Sequence, residues 1–170
     1  LSTRRQRQMC IRDRCINIHP GLNPHNRGWF PQVFSILNGK PLGATIHVID
    51  EELDHGPILA QQEVPLFSWD TSLSAYQRVQ EAEKKLIEDC LVDILFNRCG
   101  SSRAGAGNVN LKRDFNTLCE LDLEEVLTMK EAIDRLRALS HPPYSNAYFK
   151  AQEDQRKVYV SLSLEPENSH

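Results

Sequence analysis

Residues 15–31 read CINIHPGLNPHNRGWFP, and the rest of the chain is interpreted from this stretch outward. It begins with a short run, 15–18, that is compatible with a β-strand. Prolines and glycines then follow at a density that ends the strand and predicts a loop. Pro31 suits the first position of a helix because its φ angle is fixed, and Gly39 ends that helix. The stretch therefore predicts a strand, a loop and a helix in that order.

The following segments alternate between strand and helix patterns. Residues 43–50 are rich in β-branched side chains and predict a second strand, and residues 58–64 predict a third strand after a turn at 51–57. Apolar residues spaced by three and four predict a long helix over 71–97, with Asp70 as its cap. These elements indicate an α/β fold.

Beyond residue 99 the pattern changes to that of a linker and a smaller unit. Residues 100–108 contain three glycines, which is typical of a linker or a mobile loop. Thr128 and Glu131 form a capping box at the start of a helix. Residues 147–149 and the alternating run 158–164 then predict a β-hairpin.

The composition excludes several classes of protein. The chain has 170 residues, 40% apolar and 25% charged, as in an ordinary globular domain, and its net charge of −3 does not indicate a nucleic-acid or membrane partner. Five cysteines and no secretory signal favour reduced thiols in the cytoplasm. A zinc site is the alternative use of these thiols, and it is drawn from four residues: Cys10, Cys15, His19 and His25.

Three segments contain polar or charged side chains in positions that suit a binding or catalytic site. Asn17 and His19 lie on the same side at the end of a predicted strand, which is the usual position of a ligand crevice in an open α/β sheet. Residues 26–29 combine an arginine, a glycine and a tryptophan. Asp54 lies in a turn just before a strand. Taken singly, Asn17 and Asp54 also fit structural roles in a loop and a turn, and His19 fits that of a half-buried histidine.

The order of these motifs resembles that of one enzyme family. An N-x-H at 17–19, an R-G at 27–28 after a proline-rich loop, and a D-x-G-x-I at 54–58 occur as in the 10-formyltetrahydrofolate-dependent formyltransferases. Within that family, residues 19–24 and 146–149 are similar to the sugar N-formyltransferases. The resemblance extends over essentially everything after the first fourteen residues.

The resemblance implies a fold and an incomplete domain. It implies an α/β fold in which residues 15–99 form the C-terminal part of a Rossmann-like catalytic domain with a mostly parallel sheet. Residues 108–166 would form a small α+β subdomain that contains the β-hairpin. Family members place further strands ahead of the N-x-H segment, so we expect a fragment with little or no activity of its own. Residues 1–14 carry five arginines, and we expect them to be foreign or disordered, the alternative being a basic arm for RNA or acidic lipid.

The resemblance also implies a reaction. A formyl group would pass from 10-formyltetrahydrofolate, a co-substrate, to the amine of a nucleotide-linked amino sugar such as a dTDP-4-amino-4,6-dideoxyhexose, without a metal. Such a step belongs to lipopolysaccharide O-antigen biosynthesis in the cytoplasm. The implied partners are the nucleotide sugar and a second copy of the chain, bound through the C-terminal region. The alternatives are a formyltransferase for methionyl-tRNA or glycinamide ribonucleotide, and an inactive fragment.

Three residues are the candidates for catalysis. Asn17 would donate an amide N–H to the oxyanion of the tetrahedral intermediate, as the resemblance implies. His19 would accept the proton that the attacking amine loses, and Asp54 would orient the imidazole. His47 is expected to be structural, although the family keeps it near the site.

Five residues are candidates for binding. The cofactor side is assigned to Arg27, Gly28 and Asp50, and the substrate side to Asn23 and Tyr148. Arg27 has three interpretations: it faces the glutamate tail of the folate, the pyrophosphate of the nucleotide sugar, or solvent. For Tyr148, packing is the alternative to contact with the nucleotide.

Overall fold

The computed structural model describes residues 9–11, 14–103 and 105–167. The elements in chain order are β1 (Met9–Ile11), β2 (Arg14–His19), β3 (Arg27–Gly28), α1 (Pro31–Asn38), β4 (Leu42–Val48), β5 (Ile58–Val64), α2 (Ser72–Leu95), β6 (Val109–Asn110), α3 (Lys112–Cys119), α4 (Met129–Leu139), β7 (Ser140–His141), β8 (Tyr144–Ser145), β9 (Ala147–Lys150) and β10 (Lys157–Val160). The segment 1–14, predicted to be foreign or disordered, falls largely outside the described residues. Within it, β1 pairs with β2.

The main sheet has the strand order β1-β2-β4-β5, and every pair of neighbours in it is antiparallel. The mixed α/β class is confirmed, but the expectation of a mostly parallel sheet is wrong for the strands that the structure describes. The reason lies in the connection. After α1 only three residues precede β4, which begins at the end of the sheet where β2 stops, so the chain runs back along β2. A parallel pair does occur between the two-residue strands β3 and β6.

The two faces of the sheet have different chemistry. On one face, Ile16, Ala44 and Ile46 are buried with the apolar side of α2, including Val79 and Leu86. Alternate residues of a strand point to opposite faces, so the polar residues between them lie on the other side. The sheet thus packs one face into the core and presents the other to the candidate site.

The start of α2 differs from the prediction. Thr71 is the N-cap, and its side chain accepts a hydrogen bond from the backbone N–H of Ser74. Asp70, which was predicted to be the cap, is 1% exposed. Its carboxylate accepts hydrogen bonds from the Phe67 N–H, the Ser74 hydroxyl and the Arg78 guanidinium. Asp70 therefore fixes the turn that precedes the helix.

The C-terminal region contains the predicted hairpin and one helix that was not predicted. β9 and β10 pair antiparallel, and Thr128 and Glu131 form the predicted capping box of α4. Helix α3 was missed because it has only eight residues, too few for its apolar spacing to stand out in the sequence. A second apolar cluster joins α1 to α4 through Val33, Ile36 and Ala138. Within the described residues, the longest and most apolar helices still fall short of what is needed to cross a membrane.

Candidate active site

Four polar side chains lie together on the face of the sheet opposite α2. Asn17 is directly opposite His47 in the β2–β4 ladder, and His19 is directly opposite Thr45. Directly opposed residues of antiparallel strands project to the same side. All four are buried. The pairing of two strands therefore creates a polar surface inside the protein.

Asp54 reaches this surface from the turn between β4 and β5. Its Oδ1 accepts a hydrogen bond from Asn17 Nδ2 at 3.0 Å, and its Oδ2 lies 3.4 Å from His19 Nδ1. The backbone N–H of Gly28 donates to the same Oδ2 at 3.1 Å. Asp54 has a φ angle of 48°, a left-handed conformation that aspartate tolerates better than most residues. The structure thus brings Asn17, His19 and Asp54 together, as the sequence predicted, although they are up to 37 positions apart.

The carboxyl of Asp54 is held in its ionised form. Burial on its own would raise the pKa of Asp54, because a carboxylate loses its hydration inside a protein. The interaction with His47, the charge of His19 and the Gly28 N–H act in the opposite direction and outweigh it. The pKa of Asp54 therefore lies below its ordinary value.

His47 belongs to this cluster, although the sequence indicated a structural role. Its Nε2 lies 3.2 Å from Asn17 Nδ2 and 3.5 Å from Asp54 Oδ1, while its Nδ1 lies 2.9 Å from the carbonyl oxygen of Val48. A carbonyl only accepts, so Nδ1 carries a proton. A β-bulge begins between Ile46 and His47, a feature that often re-aims a side chain near a functional site.

Both N–H groups of Asn17 face acceptors within the cluster. With the proton of His47 on Nδ1, its Nε2 accepts one N–H of Asn17, and Asp54 accepts the other. Asn17 Oδ1 is buried and makes no hydrogen bond to any residue that the structure describes. The predicted oxyanion role of Asn17 therefore requires that one of these two N–H groups exchange its partner for the substrate oxygen.

The loop that follows β2, residues 20–24, packs against the cluster of Asn17, His19, Thr45, His47 and Asp54. A Cβ on Gly21 would lie 2.5 Å from His19 Nε2, so glycine allows the loop to approach the imidazole. Asn23, predicted to bind substrate, donates from Nδ2 to the backbone oxygen of Asp54 at 2.7 Å. The hydroxyl of Thr45 donates to the Gly21 oxygen. In this structure Asn23 thus holds the turn that carries Asp54, and its substrate contact stays a prediction.

The other predicted binding residues are distributed more widely. Gly28 lies within the cluster, and the Nε of its neighbour Arg27 is buried without a hydrogen-bond partner among the described residues. Asp50 lies on the exposed part of the same turn as Asp54 and pairs with His55 at 2.9 Å. The side chain of Tyr148 contacts elements of the C-terminal region instead: its hydroxyl donates to Glu120. The roles of these residues in binding stay predictions.

The arrangement can support proton transfer next to a polar reacting group. A carboxylate that stays ionised fixes one nitrogen of the His19 imidazole and favours the imidazolium that forms when the other nitrogen accepts a proton. The adjacent amide of Asn17 adds a hydrogen-bond donor. Across the described residues, no group of three or more histidine, cysteine, aspartate or glutamate side chains is arranged to hold a metal ion. The zinc alternative depended partly on Cys10, whose side chain is not among the described ones.

Two family models match the chain. A model described as formyl transferase matches residues 9–91, and a model described as the N-formyltransferase dimerization C-terminal domain matches residues 114–166. The first contains the whole candidate site, and the second contains the hairpin. Residues 92–113 lie between them.

The relatives and solved structures carry related descriptions. The chain is 51% identical over 158 residues to the dTDP-4-amino-4,6-dideoxyglucose formyltransferase of Mycobacterium tuberculosis, which covers 91% of the chain and 66% of the relative. A crystal structure of a Mycobacterium tuberculosis protein assigned to the sugar N-formyltransferases matches with 48% identity and a TM-score of 0.90, over 92% of the chain and 67% of that protein. The chain thus spans about two thirds of the length of these relatives.

A more distant structure contains ligands. It is a formyltransferase from Anoxybacillus kamchatkensis in complex with UDP-4,6-dideoxy-4-formamido-L-AltNAc and tetrahydrofolate. It is 27% identical to the chain, with a TM-score of 0.59, over 72% of the chain and 64% of that protein.

Proposed function

Because the chain belongs to the formyl transferase family, we propose that the protein transfers a formyl group from 10-formyltetrahydrofolate to the amine of a nucleotide-linked amino sugar. The observation that carries this proposal is the convergence of Asn17 and His19 on the buried carboxylate of Asp54. In sequence these residues form the motifs by which the chain resembles the family.

The chemistry of formyl transfer matches the groups at the site. The amine nitrogen bonds to the formyl carbon, and negative charge develops on the formyl oxygen. His19 accepts the proton that the nitrogen loses, and Asp54 stabilises the resulting imidazolium. One N–H of Asn17, exchanged from His47 or Asp54 to the substrate, stabilises the oxyanion. The bond between the carbon and the folate nitrogen then breaks, and that nitrogen receives the proton that His19 had accepted. The base, its orienting carboxylate and the amide are sufficient, so no metal ion is required.

The acceptor is the part of the proposal that depends most on the relatives. The 51% identity to a dTDP-4-amino-4,6-dideoxyglucose formyltransferase supports a dTDP-linked 4-amino sugar over methionyl-tRNA or glycinamide ribonucleotide. The ligands of the Anoxybacillus kamchatkensis structure support the pairing of a nucleotide sugar with a folate. We place the reaction in the cytoplasm, where the thiols of the four described cysteines would remain reduced.

The proposal includes two functional parts and a second copy of the chain. Residues 15–99 would supply the catalytic part, and residues 108–166 would supply a homodimer interface. The match of residues 114–166 to a dimerization domain supports the second assignment. Arg27, Gly28 and Asp50 would face the folate, and Asn23 and Tyr148 the nucleotide sugar.

The proposal is tested with the full-length protein, 10-formyltetrahydrofolate and dTDP-4-amino-4,6-dideoxyglucose. We expect the wild type to give a formylated sugar nucleotide, detected by mass spectrometry. His19→Ala should lower kcat/KM by about 10²–10⁴-fold because the general base is lost, and Asp54→Asn should also lower it strongly. Asp89→Asn, on the exposed side of α2, is the matched control and should have wild-type kinetics. Product formation at the normal rate by His19→Ala, or none by the wild type with any amino sugar nucleotide, would contradict the proposal.

A further inference from the structure

A short segment outside both family models is bound to the loop beside Asp54. This segment is β6 with its flanking residues, which lie within the stretch 92–113 between the two matches. It pairs in parallel with β3, the strand that contains Gly28. The end of the linker therefore contacts the wall of the candidate site.

Three asparagines hold the two strands together, and we name them the asparagine clasp: Asn26, Asn108 and Asn110. Asn26 Oδ1 accepts hydrogen bonds from Asn108 Nδ2 at 2.8 Å and from Asn110 Nδ2 at 3.2 Å. Asn108 Oδ1 accepts one from the backbone N–H of Asn26 at 3.1 Å. Asn26 is 1% exposed, so these bonds form away from water, where an unpaired amide is costly.

The backbone bonds of the same strands orient the Gly28 N–H. The N–H groups of Arg27 and Trp29 donate to the carbonyl oxygens of Asn108 and Asn110, at 3.0 and 2.9 Å. Successive N–H groups of an extended strand point to opposite sides. The Gly28 N–H between them therefore points away from β6, towards Asp54 Oδ2, to which it donates.

Close contacts leave this segment little freedom to shift. Gly28 has a φ angle of 90°, and a Cβ on it would lie 2.5 Å from the Asn110 oxygen. A Cβ on Gly107 would lie 1.9 Å from the Pro24 oxygen. Both glycines allow backbone to pack against backbone at van der Waals distance. The clasp is therefore a built contact between the linker and the loop.

We propose that Asn108 and Asn110 are positioning residues for the reaction, because through Asn26 and β3 they fix the Gly28 N–H on the carboxylate that orients His19. They act through Gly28 and Asp54, which lie between them and the imidazole of His19. The structural part of this inference stands on the hydrogen bonds alone. Its catalytic part rests on the proposed function.

The test uses the full-length protein with Asn108→Ala, Asn110→Ala and the double variant. Asn116→Ala, at an exposed position of α3, is the matched control. Hydrogen exchange of the Gly28 amide, followed by NMR, reports the contact directly. We expect the exchange rate of the Gly28 amide to rise about tenfold in each single variant and more in the double variant. Loss of one net hydrogen bond makes local opening easier by about this factor. The pKa of the Asp54 carboxyl, followed by carbon NMR, should rise in the variants, because a donor to its ionised form is weakened.

Kinetics test the catalytic consequence. We expect kcat to fall about tenfold in the double variant while KM for the nucleotide sugar, whose predicted contacts lie outside β3, stays within about twofold. Unchanged Gly28 exchange in a double variant with a wild-type circular dichroism spectrum overturns the proposal; if the double variant does not fold, the Asn110→Ala result decides in the same way. Faster exchange with unchanged kcat overturns the catalytic part. If the wild type lacks formyl transfer, the proposed function fails, but exchange and titration still decide whether the clasp positions Gly28.

Discussion

His19 is the residue whose environment is most sensitive to a small change. It is buried, with Asp54 beside one ring nitrogen and the Gly21 backbone beside the other. An added methyl group on this side has no space unless the imidazole moves. The catalytic geometry therefore depends on a residue that has no side chain.

Gly21→Ala should impair the proposed formyl transfer more than it lowers the stability of the protein. The new Cβ would lie 2.5 Å from His19 Nε2 and 3.1 Å from the Pro31 Cβ, so the imidazole must be displaced. A displacement of about 1 Å costs roughly 100-fold in rate, whereas overpacking a core costs about 1–3 kcal/mol. Formyl-transfer kinetics and urea unfolding would measure the two effects.

Gly100→Ala is the control for this variant. A Cβ there would project into open space within the described part of the molecule. It should leave both rate and stability near those of the wild type. Wild-type kcat/KM in Gly21→Ala would show that the loop yields and the imidazole does not.

At the residue scale, the sequence predicted the convergence of Asn17, His19 and Asp54, and the resemblance placed His47 near the site, but the contacts of His47 with Asn17 and Asp54 were not predicted. The first three were found because they form ordered motifs in the chain. His47 lies in a continuous β-branched strand, so its partner depends on which strand lies beside β4 and in what register. The neighbour and register of a strand depend on pairing between distant parts of the chain, and a local sequence pattern does not predict them.

At the element scale, the start of α2 depends on a buried charge. Asp70 accepts two hydrogen bonds from the Arg78 guanidinium, and its backbone oxygen accepts one from Arg137 of α4. Burial alone would raise the pKa of Asp70, but Arg78, the Phe67 N–H and Ser74 outweigh this and hold the pKa below its ordinary value. Asp70 thus joins the turn to α2 through its carboxylate and to α4 through its backbone oxygen.

Asp70→Asn should lower the free energy of unfolding by roughly 2 kcal/mol at pH 7, because it removes the charge from a buried carboxylate that accepts charge-assisted hydrogen bonds from the partly exposed Arg78. A depressed pKa contributes stability above the unfolded-state pKa of about 3.9, and that stability is lost as the pH falls through the folded-state pKa. The difference between wild type and variant should therefore shrink on acidification below about pH 4. Urea unfolding over a series of pH values would measure it.

Asp93→Asn is the matched control on the same helix. Asp93 lies 4.0 Å from Arg98, and both side chains are exposed. Its replacement should change the unfolding free energy by less than about 1 kcal/mol at any pH. A loss in Asp70→Asn that does not vary with pH would show that packing, and not the charge, stabilises the turn.

The bounds of the helices and strands were predicted more reliably than the relative directions of the paired strands. Pro31 and Gly39 marked α1 closely, and β5 was predicted with its observed bounds because turn residues flank it. The predicted cap of α2 was one residue early, since Asp70 and Thr71 both suit an N-cap. The parallel sheet was inferred from resemblance and not from residues, and the short link between α1 and β4 favours the antiparallel pairing instead.

At the scale of the whole molecule, the C-terminal region exposes apolar side chains. Val126 is 96% exposed and Met129 76%, both in the segment that leads into α4. The residues match a dimerization domain. Exposed apolar side chains that lie close together can mark an interface between subunits. We expect this segment to lie in the homodimer contact.

Val126→Glu combined with Met129→Glu should weaken the dimer by at least about 100-fold, because two charges would be buried at its centre. Light scattering across a protein concentration series would measure the change. Val92→Glu, an exposed position near the end of α2, is the matched control and should remain dimeric. A double variant that stays a dimer at the lowest concentrations would place the contact elsewhere in the protein.

The parallel pairing of β3 with β6 sets a rule for recombining such proteins. A chimera that takes its C-terminal region from a relative, in order to change its assembly, would usually be joined in the glycine-rich linker. A junction there would import a foreign β6 against the native loop. The exchange should keep the native sequence through Asn110 and begin at Leu111, so that the strand and its receiving loop come from one parent.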